Sequence, residues 1–330
     1  MPEIVGHYID RIMSTELRPI GNMPRGVAHL LYDAVRAKAD APLSTTMARA
    51  LIDRLGPGDR IVIVCGAGGA PTLPTGEIDG LLGAVALARA LTLGVGADVH
   101  LAVEPRFVAP ITSIARAGEL NVRTDPHEEW TGSIAIHISP EDDAEGITFA
   151  EQLLDNLEPT AVLAIEKLSI NYEGIIHGAT GIPWHDVHFN AAHLFALAAE
   201  RGVLTCGIGD AGNEIGFGSI PEVAAIQPEG KVMGSSISVD VLLAAAISDW
   251  GGYAVTAMLA FLLERPDLVA DADYVENLLR AAVASGVVCG WYARPTLSDD
   301  GVPLAAQRAA ATLIETAVTQ ALTRAHSPSH

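Results

Sequence analysis

The sequence predicts a three-layer α/β fold, built on a mostly parallel, Rossmann-like sheet with a helical N-terminal extension and a helical C-terminal third. Three observations carry that prediction. From Arg60 onward, short runs rich in Val, Ile and Leu alternate with longer amphipathic runs, the signature of successive βαβ units. Several of the short runs lack polar alternation, as expected of strands covered by helices on both faces. On either side of this region apolar residues recur at spacings of three and four, the period of a helix with one buried face.

In chain order, "IVGHYIDRIM", "VAHLLYDAVRA" and "TTMARALIDRL" read as helices within residues 1–57, an extension packed on the main domain. The strands expected in the 58–325 domain are "RIVIVC", "DVHLAV", "SIAIHI", "AVLAIE", "VLTCGI" and "DVLLAAAI". Between them, "GLLGAVALARAL", "VAPITSIARAG", "ITFAEQLLDNL" and "HFNAAHLFALAAERG" read as helices. The last third continues with "YAVTAMLAFLLERP", "ADYVENLLRAAVASG" and "LAAQRAAATLIETAVTQALTRA", and "HSPSH" (326–330) is expected to be a disordered tail. No solenoid-period repeat and no low-complexity linker interrupts the chain.

Composition narrows the function. The 330 residues carry 20 Lys+Arg against 40 Asp+Glu, a net charge of -20, which disfavours nucleic acid and anionic membranes as partners. The longest apolar runs fall short of the roughly 20 residues of a membrane-spanning helix, and "MPEIVGHYIDRIM" lacks the basic start of a secretory signal. The chain reads as soluble and cytoplasmic, and its expected partners are a small-molecule substrate and, optionally, further copies of itself. Cys65, Cys206 and Cys289 are widely spaced and each precedes a glycine, so they read as small buried residues at strand ends.

In open parallel sheets, ligands bind outside the carboxyl ends of the strands, where the strand-to-helix loops gather. The loop after "RIVIVC" brings Glu77 and Asp79, Glu104 follows "DVHLAV", Glu166 and Lys167 follow "AVLAI", and Asp210, Asn213 and Glu214 follow "VLTCGI". Carboxylates gathered so closely raise one another's pKa unless a cation or protons neutralise them. A divalent ion answers this, and all-oxygen donors favour Mg²⁺ or Mn²⁺ over zinc. Each residue also has a plainer reading: Asp79 as a helix N-cap, Glu104 as a solvated loop charge, Asp210 as an Asx-turn residue. His185, His188 and His193 in "WHDVHFNAAH" lack the HExxH pattern and read first as ordinary histidines near a helix start. "GAGGAP" lacks the third glycine of the dinucleotide fingerprint, and no phosphate-loop GK[ST] occurs.

Three stretches, "PTLPTGEIDGLLGAVALARAL", "GIGDAGNEIGFGSI" and "AISDWGGYAV", resemble the motifs of the D-glutamate cyclase C-terminal-domain family and keep their order. "PTLSDDGVP" resembles a further family segment. The resemblance implies an α/β domain with a divalent-cation site and a metal-dependent hydro-lyase that interconverts D-glutamate and 5-oxo-D-proline plus water. The positions that match the family's motifs are Glu77, Asp79, Asp210, Asn213 and Glu214, with Trp250 and Gly251 in the later motif; for such a reaction Glu77, Asp79, Asp210 and Glu214 would hold the metal, Glu166 or Lys167 would move the proton, and Asn213 would orient the substrate or a ligand. Gly209, Gly212, Asn171 and Trp250 would bind substrate. The chain departs from the pattern at three positions: Lys167 stands where arginine is usual, Asp249 where asparagine is common, and Cys289 in place of an aspartate. Two other functions also suit an acidic metal centre, a metal-dependent phosphatase or hydrolase of a small molecule and a non-catalytic amino-acid or metal-binding protein.

Overall fold

A computed structural model describes residues 1–21, 25–69, 71–123 and 130–323. Seven parallel strands form its sheet: β1 (Arg60–Cys65), β2 (Asp98–Val103), β3 (Asn121–Arg123), β4 (Ser133–Ile138), β5 (Ala161–Ile165), β6 (Leu204–Gly209) and β7 (Val241–Ala244). Their spatial order is β3-β4-β2-β1-β5-β6-β7. In the centre, Ile61 pairs with Val99 on one side and Ala161 on the other.

Side chains alternate along each strand, so one strand feeds two cores. Ile61, Ile63 and Cys65 face a large core, and Val62 and Val64 face a smaller one. The smaller core is closed by α6 (Asp143–Leu157) and α7 (Ala192–Glu200), which bring Leu153, Leu154, Leu194 and Phe195. The larger is closed by α4 (Leu81–Ala90), α5 (Pro105–Ala117), α10 (Ser248–Leu262), α11 (Ala272–Ser285) and α12 (Leu304–Leu322). Burial on both faces explains why the strands read as unbroken apolar runs.

The N-terminal helices α1 (Pro2–Met13), α2 (Val27–Arg36) and α3 (Leu43–Arg54) place Ile9, Met13, Leu31 and Met47 in that same larger core, with Trp250 and Met258 of α10. Two single-turn helices, α8 (Val223–Ile226) and α9 (Gly230–Met233), lie between β6 and β7. A hairpin of β8 (Ser298–Asp299) and β9 (Val302–Pro303) precedes α12.

The structure departs from the sequence reading in three elements. β3 has only three residues, too few for a periodic signal. "DVLLAAAI" is strand only as far as Ala244, because the following residues turn into the start of α10. Helix α7 starts at Ala192 rather than near His188, which is extended. The expected tail, 326–330, lies outside the described residues.

The strand order positions the site. After β1 the chain passes to β2 and then to the edge strand β3, returns to β4 between them, and crosses to β5 on the other side of β1. Loops leaving β1 and β5 therefore diverge, and a crevice opens between them at the carboxyl edge.

Candidate metal centre and active site

A cavity of about 340 Å³ occupies that crevice. The loop after β1 lines it with Glu77 and Asp79, the end of β5 with Glu166, and the loop after β6 with Asp210, Ala211 and Asn213. Two contributions come from farther away: Arg18, from the segment after α1, and Asp300, from the tip of the β8–β9 hairpin. Leu73, Leu168, Ile182, Trp184 and Trp291 form an apolar wall.

Local chemistry holds each acid in place. Asp79 does not cap α4; its carboxylate accepts the backbone N–H groups of Gly80 (2.8 Å), Ser248 (3.1 Å) and Asp249 (2.7 Å), and so ties the β1 loop to the first turn of α10. Glu166 adopts a left-handed backbone (φ 46°), which is uncommon for a non-glycine residue, and its Oε2 accepts the Ser248 hydroxyl at 2.5 Å. Gly80 makes room for that turn, since a Cβ there would lie 2.4 Å from the Cβ of Glu166. The glycine loop after β6 is a cradle of N–H groups, and the chain's own Glu214 fills it. Glu214 Oε1 accepts from Asp210 (2.9 Å) and Ala211 (2.8 Å), and its Oε2 from Gly212 (2.7 Å). A Cβ at Gly209 would lie 2.7 Å from the Glu214 carboxyl carbon, so glycine is needed beneath it.

The electrostatics are severe. Three sets of carboxylates, Asp79/Asp210/Asp300, Glu166/Asp210/Glu214 and Asp79/Asp249/Asp299, have oxygens within 4.8 Å of one another. Burial, then the neighbouring carboxylates, raises Asp79, Glu166, Asp249 and Asp299 well above the usual range. Burial likewise raises Asp210 against the pull of Arg18, and Glu77 is pushed up to about 8 by burial, then Asp300 and Glu214. Arg18 is the one cationic side chain lining the cavity among the described residues. Its Nη1 donates to Asp210 (2.9 Å) and Asp300 (2.6 Å), which keep it charged in spite of its burial.

Glu77, Asp79, Glu166, Asp210 and Asn213 thus meet at one cavity. Asn213 donates to the His177 carbonyl at 2.8 Å, and its Oδ1 has no partner. Other residues expected at the site are elsewhere. Lys167, next in the chain to Glu166, is wholly buried and forms an ion pair with Glu104. Glu104 is therefore no solvated loop charge; it also accepts the Phe189 N–H at 2.9 Å. Asn171 organises its own turn, accepting from Glu173 and Ile175 (both 2.9 Å) and donating to the Val232 carbonyl (2.8 Å). Trp250 faces the core and donates to Gln307 at 2.5 Å, while Gly209 and Gly212 lie behind the wall, around Glu214. None of these lines the cavity.

None of the three histidines lines the cavity: His185 meets Asp143 at 2.9 Å, His188 is bonded to Gly68 N–H and the Trp184 carbonyl, and His193 Nε2 lies 3.9 Å from Glu151, beyond hydrogen-bond reach. Sequence reasoning missed Arg18, Asp299 and Asp300 and noted Asp249 only as a departure. For Asp300 a signal existed: Asp-Gly between two short strands marks a tight hairpin, and Asp300 and Gly301 both have positive φ (44° and 81°). Arg18 sits in an irregular segment that carries no such sign.

Over 69 residues the chain is 36% identical to the human protein "D-glutamate cyclase, mitochondrial", a stretch covering 20% of this chain and 11% of that protein. The chain thus aligns with about a tenth of the relative's length. The family described as "D-glutamate cyclase-like, C-terminal" matches residues 12–315, nearly the whole chain with its acid-bearing loops, and the chain belongs to that family.

Proposed function

We propose that this chain is a divalent-cation-dependent hydro-lyase that interconverts D-glutamate and 5-oxo-D-proline plus water. The observation that carries this reading is the meeting of Glu77, Asp79, Glu166 and Asp210 on one cavity in a member of this family. The residues fit a hard cation: the donors are all oxygens, and one guanidinium balances only part of their charge. Asp79, Asp210 and Asp300 would hold Mn²⁺ or Mg²⁺, with Glu77 and Glu214 close by. When bound, the ion would polarise the γ-carboxyl group and balance charge on its oxygen.

The chain's own residues supply the rest. Arg18 attracts the substrate's carboxylates into an otherwise acidic cavity, a role the glycine loop cannot fill because Glu214 already occupies its N–H groups. Asn213 Oδ1 accepts from the substrate ammonium. The Trp184, Trp291 and Leu168 wall covers the methylene groups and keeps bulk water out.

Cyclisation forms the N–Cδ bond and breaks one Cδ–O bond. Of the three ammonium protons, one stays on the lactam nitrogen and two leave with the γ-oxygen as water. Glu166, whose carboxyl binds a proton more tightly than usual, takes the two departing protons from the nitrogen in turn and delivers each to the leaving oxygen. Lys167 has no part in this, being held by Glu104.

The test is incubation of chelator-stripped protein with D-glutamate or 5-oxo-D-proline, with and without Mn²⁺, followed by chiral chromatography. Metal-dependent interconversion is expected. Absence of turnover in both directions, or turnover of a phosphomonoester panel instead, would reject the assignment.

A further inference from the structure

We propose a second divalent-cation position, enclosed behind the cavity wall and ligated by Asp79, Asp249 and Asp299. The three side chains come from the β1 loop, the first turn of α10 and the end of β8. Asp249 and Asp299 have no exposure at all and Asp79 only 3%. Oxygens of all three lie within 4.8 Å of one another.

The surroundings of those oxygens point to a bound cation. Both carboxylate oxygens of Asp299 and Oδ2 of Asp249 are buried, and the two side chains have no polar partner there but each other. The hydroxyl of Tyr253, one helical turn beyond Asp249 and therefore on the same face of α10, is also buried and unpartnered. Buried polar groups are almost always satisfied, so acceptors and a hydroxyl left together imply something bound among them. A single proton shared by Asp249 and Asp299 would satisfy one contact and leave the others open. A hard cation with six or more oxygen ligands accommodates them all.

Charge leads to the same place. Arg18 is engaged by Asp210 and Asp300 on the cavity side, and no ion pair reaches Asp249 or Asp299 among the described residues. One ion in the cavity would leave this inner group uncompensated. Asp79 belongs to both carboxylate sets and lines the cavity, so it can bridge two ions and give the inner position a way in. The second position rests on the cavity ion proposed above, though not on the substrate assigned to it.

The experiment is a metal count. The full chain is stripped with chelator, loaded with Mn²⁺, desalted and analysed by plasma mass spectrometry, and titrated in parallel by calorimetry. Two ions per wild-type chain are expected, with one ion left in Asp249→Ala, in Asp299→Ala and in Asp300→Ala. The wild-type Mn²⁺ pair gives a spin-coupled resonance spectrum, and each variant gives the six-line signal of an isolated ion. Either inner variant binding as many ions as the wild type overturns the proposal. Should both inner variants fail to fold, the wild-type count decides alone, and one ion or none overturns it.

Discussion

Replacing Lys167 with methionine separates a structural lysine from a catalytic one. The ammonium is completely buried, paired with Glu104 and within 3.4 Å of the Gly66 carbonyl. Removing one partner of such a pair strands the other charge and costs about 3–5 kcal/mol. With unfolding entropy of about 2.1 cal/mol/K per residue, the 330 residues melt with about 0.7 kcal/mol/K, so Tm falls by about 4–7 °C. Adding Glu104→Gln should recover most of the loss, because glutamine removes the stranded charge and still accepts the Phe189 N–H. The assay is differential scanning calorimetry of the two single variants and the double variant, beside kcat measured well below the melting range. A Lys167→Met protein that melts with the wild type yet has lost turnover would refute the reasoning and return Lys167 to the chemistry.

Four further outcomes follow from the same geometry. Cation at a hundredfold excess over its Kd adds about 2.7 kcal/mol, or about 4 °C in Tm, and the gain shrinks on acidification through about 8, where Glu77 takes up a proton; thermal melts against pH with and without Mn²⁺ check this. Glu166→Gln lowers kcat/KM by about 10²–10⁴-fold while Mn²⁺ still binds, measured by steady-state kinetics and calorimetry. Arg18→Met raises KM about 10–100-fold with a smaller change in kcat, the loss expected for one charge-assisted contact to a carboxylate. His188 is pushed down to about 4 by burial and Lys167, so between about 4 and 6.5 only the unfolded chain takes its proton. Stability is then whole above pH 6.5 and falls by about 3 kcal/mol towards pH 4, a slope that His188→Gln removes in urea titrations.

The strands were legible because burial on both faces leaves an apolar signature that no surface segment shares. "RIVIVC", "DVHLAV" and "SIAIHI" coincide with β1, β2 and β4 to the residue. The acids that follow strands, Glu77, Asp79, Glu166 and Asp210, were legible for the related reason that parallel topology gathers strand ends. Lys167 shows where chain adjacency misleads. Glu166 and Lys167 are neighbours just past the end of β5, where the left-handed backbone of Glu166 turns the chain, and one side chain lines the cavity while the other meets Phe189 and Glu104. Arg18, Asp299 and Asp300 lie outside the strand-to-helix loops of the sheet; the Asp-Gly pair marks the hairpin that carries Asp299 and Asp300, but nothing local tells that this hairpin reaches the cavity. Trp250, in a family motif, and Asn171, in the segment that departs from the family, are both expected at the substrate, but their hydrogen bonds serve the fold around the cavity.

The contact between Arg18 and Asp300 spans 282 residues, so the acidic pocket is stitched from both flanks of the chain. Distant closures are made late, since a long loop must be ordered before its ends are rewarded. Because Asp300 of the C-terminal hairpin completes the Asp79/Asp210/Asp300 set, an ion held there would report complete assembly, readable by stopped-flow refolding in the presence of Mn²⁺.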